Sequence, residues 1–505
     1  MFLLIFLITT IWSIPASAQK CDPLDFGKGS VVCQCNSTYC DYYPDPSPPN
    51  KGEFILYTSS KGGKRLERYD GRISNDLGNG YKIKINVKKE YQKIEGFGGA
   101  FTDAALINIK SLSSSTQDHL MRSYFTSNGS NYNLGRVPIA GSDFSTRGYT
   151  YDDTEGDTAL KNFTLAKEDI ELKIPLMKEA LKLNQELRFL SASWTAPPWM
   201  KNRYSYNGFS YLQEKYYQIY AKYIVKFLEE YKKNGLDIWA VSTGNEPFTS
   251  LLPISKINSM FWSSGTASKW VINNLGPTLE KSNSNATVIL MLDDQRMSLP
   301  WYVIDVKTRH SEALKYIKGI AVHWYTDDFI PAKVLSLTHD IVPEKFILMT
   351  EACLGDRPWE NPKVILGSWS RAERLIAKLF ENLNHWVVGW VDWNLALDTN
   401  GGPNWVKNYV DAPIIVDAGK DVFYKQPLYY AMIHFSKFIP RNSINVKSES
   451  NNRNILSIAF KTNNGHKTVL LYNRSNKKMN VSVIDDEIGN INIELPEYSL
   501  HTILY

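Results

Sequence analysis

Between residues 96 and 394 short apolar segments alternate with longer amphipathic ones, and this alternation constrains the architecture more than any other feature. The apolar segments read as strands at Gly96–Asp103, Leu134–Gly141, Arg188–Ala196, Ile238–Glu246, Thr287–Asp293, Gly319–Tyr325, Phe346–Glu351 and Val387–Asn394. Helix-period stretches lie between them, such as EDIELKIPLMKEALKLN, YYQIYAKYIVKFLEEYKKNG and RAERLIAKLFENLN. Eight strand–helix units predict an α/β fold, a (β/α)8 barrel. A doubly wound open sheet is the alternative. It usually carries a glycine-rich phosphate loop, and GFGGAF lacks the third glycine in register.

Both ends of the chain have a different rhythm. GEFILYTSSKGGKRLERYDG and YKIKINVKKEYQKIEG alternate with period two, as do NILSIAFKTNNGHKTVLLYNRS and the final 27 residues. Asn464-Gly465 signals a hairpin. Neither group fills two sheets, so a β-sandwich assembled from both ends is expected. At 505 residues the chain is too long for one core. The expected division is a leader at 1–18, a disulfide-bonded region at 19–45, sandwich segments at 46–91 and 440–505, and a catalytic barrel at 92–439.

The leader MFLLIFLITTIWSIPASA is an apolar run ending in Ala-Ser-Ala, a signal-cleavage pattern. No later window is apolar enough to span a membrane. The secretory pathway is therefore expected, ending in a lysosome or in secretion. Four of the five cysteines, Cys21, Cys33, Cys35 and Cys40, crowd into the short stretch after the leader. In an oxidising compartment they read as two disulfides, and Cys-x-x-Cys zinc pairs are absent. Sequons at Asn36, Asn128, Asn162, Asn285, Asn473 and Asn480 suit the same route. A net charge of +5 without a dense basic block gives no case for nucleic acid. No metal motif, Walker loop or nucleophile elbow occurs, and no cofactor is implied.

In a barrel the chemistry sits at the C-terminal strand ends. The second expected strand ends at Asp143, the third at Trp194, the fourth at Asn245 and Glu246, the sixth at His323 and Tyr325, the seventh at Glu351, and the eighth at Asp392, Trp393 and Asn394. Two opposed glutamates ringed by aromatic residues meet the requirement of glycoside hydrolysis. One protonates the leaving oxygen, and the other attacks the anomeric carbon or activates water. Taken alone, Trp194 reads as core, His323 as a structural hydrogen bonder and Cys353 as a buried thiol. Because the carboxyls share a pocket, Glu246 is expected to hold its proton against the charge of Glu351.

GNEP and TEAC resemble the catalytic strand ends of clan A glycoside hydrolases. CNSTYC, GFGGAFTDAA, LMLDDQR, GIAVHWY, VDWNLAL, GGPNWV, FYKQP and HFSKFIP resemble the lysosomal glucosylceramidases of family thirty, in order from Cys21 onward. The resemblance implies hydrolysis of β-glucosylceramide with retention, Glu246 as acid/base and Glu351 as nucleophile. It assigns Asp143, Trp194, Asn245, Trp393 and Asn408 to glucose binding, with Tyr325 beside the nucleophile. It pairs Cys21 with Cys33 and Cys35 with Cys40. It also implies contact with anionic lipid membranes and a saposin-type activator protein. The chain departs from the family in the loops after the third and fourth strands, in Gly244, and in Ser142, where a cysteine is common.

Overall fold

A computed structural model describes residues 19–45, 47–252 and 256–505. The expected leader at 1–18 lies outside the described residues. Eight parallel strands close into a barrel in chain order. They are β1 (Gly96–Ala100), β2 (Leu134–Ile139), β3 (Arg188–Ser193), β4 (Ile238–Ser242), β5 (Val288–Gln295), β6 (Ile317–His323), β7 (Phe346–Glu351) and β8 (Val387–Asn394). Closure is direct, because β8 pairs with β1 through Gly389↔Gly96 and Asp392↔Gly99. An open doubly wound sheet is excluded, since it would leave two edges. The interior is filled by Leu134, Leu190, Ala240, Leu290, Ala321, Leu348 and Val391. Close approach explains the glycines of β1: a Cβ on Gly98 would lie 1.7 Å from the Leu134 carbonyl oxygen.

The helical periods fold as expected. Trp369–Leu383 is capped by Ser368, whose side chain accepts from the Arg371 amide. It buries Ala372, Leu375, Ile376, Leu379 and Leu383, the apolar stripe of its sequence. The first four strands stop two to four residues before the expected ends. β4 ends at Ser242 because Gly244 and Glu246 take left-handed backbone, with φ of +144° and +40°. The polar residues that seemed to end the strands therefore lie just beyond the ladder.

The β-rich ends interleave in one nine-stranded sheet. Glu53–Ser60 pairs with Ser499–Leu504, and Tyr81–Lys93 lies between Met479–Asp485 and Ile444–Ser450. Phe54, Ile83, Val446, Val469, Val481 and Ile503 share a single sandwich core. The Asn464-Gly465 hairpin forms, with Lys461 opposite Lys467. One expectation needs correction: Asn473 is not an open glycan acceptor. It is fully buried, and its amide donates to the carbonyls of Lys477, Leu495 and Pro496 at 2.8, 3.3 and 2.7 Å.

Cys21–Cys33 and Cys35–Cys40 are disulfide-bonded. The cysteine-bearing strand Val31–Cys35 does not stand apart. It pairs with Val422–Lys425 through Phe423↔Cys35, so the N-terminal region is welded to the segment following β8.

Sandwich and barrel meet at two buried histidines. His434, on helix Pro427–Ser436, bonds the Thr502 and Ser59 hydroxyls, both at 2.8 Å. His501 bonds Thr58 and Ser499 at 3.0 and 2.7 Å. Burial, aided by the charge of Lys64, pushes His501 down to about 3. Burial also pushes His434 well below the usual range, and His501 contributes. Both must stay neutral in the fold. Above the unfolded value near 6.5 they cost nothing; below it the unfolded chain takes up protons that the fold refuses. His501 alone should therefore cost about 2 kcal/mol of stability at pH 5 relative to pH 7. Urea unfolding of His501→Gln should show a correspondingly smaller loss over that interval, and an unchanged slope would contradict this.

Candidate active site

The turn after β4 sets the site. Glu246 adopts a left-handed backbone, which costs a non-glycine residue about 1–3 kcal/mol. Two hydrogen bonds hold it: Asn245 N–H to the Ser193 carbonyl and Glu246 N–H to the Asp293 carbonyl, each 2.9 Å. Pro247 then opens a short 3-10 turn. Opposite, β5 carries a bulge at its C-terminal end. Leu292 and Asp293 have φ of +74° and +55°, and the register with β6 slips between Leu292 and Asp294.

Arg136 rises through the barrel from β2 with no exposed surface. Its guanidinium donates to Glu351 Oε2, to Asn245 Oδ1 at 2.7 Å and to Asp293 Oδ2 at 3.1 Å. His323, at the end of β6, faces Glu246 Oε1 through Nδ1 at 2.8 Å and Asp293 Oδ1 through Nε2 at 3.0 Å. Ser242 and Thr350 hydroxyls complete Asp293, both at 2.7 Å. Glu246 also accepts from Gln295 on Oε1 at 2.8 Å and from Thr249 on Oε2 at 2.9 Å. Glu351 Oε1 accepts the Tyr325 hydroxyl at 2.8 Å. An oxygen of Glu246 and an oxygen of Glu351 lie within 4.8 Å of each other.

These contacts order the ionisations. Burial, which raises Asp293, is outweighed by Arg136 and His323, and its carboxyl is held well below the usual range. His323 goes the other way: burial favours the neutral ring, but Glu351, Asp293 and Glu246 lift it to about 10. Burial of Glu246 is outweighed by the hydrogen bond and charge of His323 and by Thr249, so its pKa is lowered. Burial dominates at Glu351 and raises it, with Glu246 adding to the rise and His323 and Arg136 opposing it. This reverses the expectation that Glu246 would take the higher value. The donors on Glu246 were not visible when the two carboxyls were weighed as an isolated pair.

Trp194 and Trp393 stack at 5.1 Å and 19° beside this network. The Arg136 guanidinium lies 5.0 and 5.3 Å from their ring centroids, so Trp194 belongs to the site as well as to the core. Asp143 stands on another side, its Oδ2 accepting from Asn404 and Asn408 at 3.2 and 3.1 Å. Burial lifts Asp143 to about 7, against the lowering effect of Asn408. The next residue, Phe144, meets the Trp393 ring edge-on at 6.0 Å, which puts Asp143 beside the same pocket.

All eight catalytic and sugar-binding candidates thus converge. Sequence reading did not assign Arg136, Asp293, Gln295, Thr249 or Asn404, and it took His323 as structural. Arg136 leaves a trace, as a lone charge inside the apolar run LGRVPI. Glu246, His323 and Glu351 also have the spacing of a metal triad. Both ring nitrogens of His323 meet carboxylates and its pKa is raised, so the ring has no lone pair for a metal. Cys35 and Cys40, beside Asp41, are closed as a disulfide.

Asp293→Asn would leave two buried cations without their common anion. A loss of about 3–5 kcal/mol in urea unfolding is expected, as for breaking a buried pair, together with loss of activity. A variant of full stability would show that Asp293 is not the anchor.

The chain matches the glycosyl hydrolase family 30 TIM-barrel domain over residues 94–439 and that family's beta sandwich domain over 442–503. It is 43% identical to lysosomal acid glucosylceramidase of Mus musculus, over 97% of this chain and 96% of that one. It is 39% identical to putative glucosylceramidase 4 of Caenorhabditis elegans, over 100% of this chain and 98% of that one. Among solved structures, SrfJ from Salmonella typhimurium superposes with a TM-score of 0.83 at 25% identity, covering 90% of this chain and 99% of that one. With its barrel and its sandwich both matched, and its opposed glutamates just after β4 and at the end of β7, the chain belongs to glycosyl hydrolase family 30.

Proposed function

We propose that the protein is a retaining β-glucosidase that hydrolyses β-glucosylceramide to glucose and ceramide. The observation that carries this is the approach of Glu246 and Glu351 to within 4.8 Å, oxygen to oxygen. Retaining enzymes keep their carboxyls about 5–5.5 Å apart, whereas inverting ones leave about 6.5–9.5 Å for a water. In the first step a Glu351 oxygen bonds to the anomeric carbon while the glucosidic bond breaks. Glu246 gives its proton to the departing ceramide oxygen. In the second step water attacks that carbon, Glu246 takes the water's proton and Glu351 leaves. Tyr325 orients the nucleophile, the Trp194–Trp393 stack and Arg136 form the floor, and Asp143, Asn245 and Asn408 meet sugar hydroxyls.

The names of the mouse and nematode relatives support a glucosylceramide substrate. So does the rim of the mouth. Leu251 and Leu252 after β4, Met297 and Trp301 after β5, Phe329 after β6 and Trp359 after β7 are all exposed. Trp301 and Trp359 are 72% and 74% exposed, an arrangement suited to a lipid surface and costly in plain water. A net charge of +5 suits an anionic one. No helix among the described residues is long and apolar enough to cross a membrane, so contact would be peripheral. Passage through the secretory pathway to a lysosome, help from a saposin-type activator, and glycans at Asn36, Asn128, Asn162, Asn285 and Asn480 belong to the same reading. A second reading is hydrolysis of a β-glucan, since the chain is 29% identical over 70% of its length to an endo-1,6-beta-D-glucanase of Neurospora crassa.

Vesicles separate the two. Glucosylceramide should be cleaved faster in anionic than in neutral vesicles, with little action on β-1,6-glucan; the reverse preference would favour the glucanase. Glu351→Gln should abolish turnover of every glucoside. Glu246→Gln should lose about 10²–10⁴-fold on glucosylceramide and less on activated aryl glucosides. Azide should rescue it to a β-glucosyl azide. Rescue of Glu351→Gln instead, with retained product, would exchange the two roles.

A further inference from the structure

We infer that His323 is a fixed imidazolium throughout the catalytic cycle, a positioning residue whose constant charge keeps the buried cluster neutral while Glu246 and Glu351 exchange ionisation. This rests on the roles proposed for the two glutamates. The ring is completely buried, and acceptor oxygens face both nitrogens, Glu246 Oε1 at 2.8 Å and Asp293 Oδ1 at 3.0 Å. Asp293 is ionised and offers no hydrogen, and Oε1 of Glu246 already accepts the Gln295 amide at 2.8 Å, so both nitrogens must carry one. Asp293 is itself pinned by Arg136, Ser242 and Thr350 and cannot turn away.

The charge count then closes at both covalent stages. The contacts above favour the shared proton on Glu351, so it passes to Glu246 before attack without changing the total; in that reactive state Arg136 and His323 are positive, Asp293 and Glu351 negative, and Glu246 carries the proton. In the glycosyl-enzyme Glu351 has become a neutral ester, and Glu246, having given its proton to the leaving oxygen, is negative. The cluster is neutral in each case. With a neutral imidazole both stages would hold one uncompensated anion among largely buried groups, which is disfavoured. The remaining groups near the ring do not alter the count. Asp294 is lifted to about 7 by burial and by Glu246, so it is uncharged in acid, and Tyr325 is neutral.

The same contacts say which oxygen does the chemistry. Oε1 of Glu246 already receives His323 and Gln295. The transferable proton therefore belongs on Oε2, beside the Thr249 hydroxyl at 2.9 Å.

The test is ¹⁵N NMR of the imidazole in the intact wild-type protein, free and after trapping with a 2-deoxy-2-fluoroglucoside. Both nitrogens of His323 should show imidazolium shifts across the pH 5–8 range in which an ordinary histidine titrates. The shifts should persist in the trapped enzyme. In Asp293→Asn the transition should move down into that range, while Asp293→Glu should retain part of the upward shift. A neutral ring in the free wild type, or loss of the ring proton on trapping, would overturn the inference. Mass spectrometry of the trapped protein tests the underlying roles separately. A label on Glu351 with a neutral ring sinks only the inference, and a label on another residue sinks the proposed roles.

Discussion

Asp293 holds the site together. One carboxylate, out of contact with water, receives Arg136 on one oxygen and His323 on the other. Those two cations then reach the two glutamates, Arg136 to Glu351 and His323 to Glu246. A buried ion pair contributes little net stability, since desolvation offsets attraction, but it fixes geometry strongly once made. Here that geometry is the mutual placement of two carboxyls on strands from different parts of the barrel. Their spacing is set by a third acid and two cations, and no direct contact between the glutamates is needed.

The backbone serves the same end. β5 bulges so that Asp293 turns into the mouth, and the carbonyl of that same residue receives the Glu246 amide. Two left-handed segments, Leu292–Asp293 and Glu246, are thus latched to each other. Each conformation is unfavourable alone by about 1–3 kcal/mol. A substitution that relaxed the bulge would therefore also release the turn that carries Glu246, although the two are far apart in sequence.

Much of this was legible in the sequence, because strand ends of a barrel are punctuated by the residues that do the work. Asn245, Glu246 and Pro247 break an apolar run, as Glu351 ends another, and period-two segments at both termini pointed to a shared sandwich. What was not legible depends on partners distant in the chain. Arg136 is 157 residues from Asp293 and 215 from Glu351. Nothing local says that a lone arginine in β2 points inward, or that His323 faces two acids at once. The strand ends were overrun for a related reason: apolar periodicity cannot see the left-handed turn that begins at Gly244. Asn473 shows the opposite error, a surface motif whose side chain the sheet has buried to satisfy three carbonyls.

The loops that depart from the family pattern have a physical role in this frame. The loop after β3 and the loop after β4 pair with each other through Asn207↔Asn258 and Tyr211↔Phe261. Asn258 reaches further, donating to the Gly141 carbonyl at 3.4 Å and accepting from Trp405 at 3.2 Å. Trp405 in turn donates to the carbonyl of Ser142, next to Asp143. Lys201, buried and without a carboxylate partner among the described residues, bonds the Thr195 hydroxyl at 2.6 Å and the Ser259 carbonyl at 3.3 Å. These loops are therefore tied by hydrogen bonds to Gly141 and Ser142, just before Asp143, and to Thr195, just after Trp194. Changes in these loops can act on the placement of Asp143 and Trp194 through those ties, while the Asp293 network beneath, which makes none of these contacts, keeps the two glutamates in register.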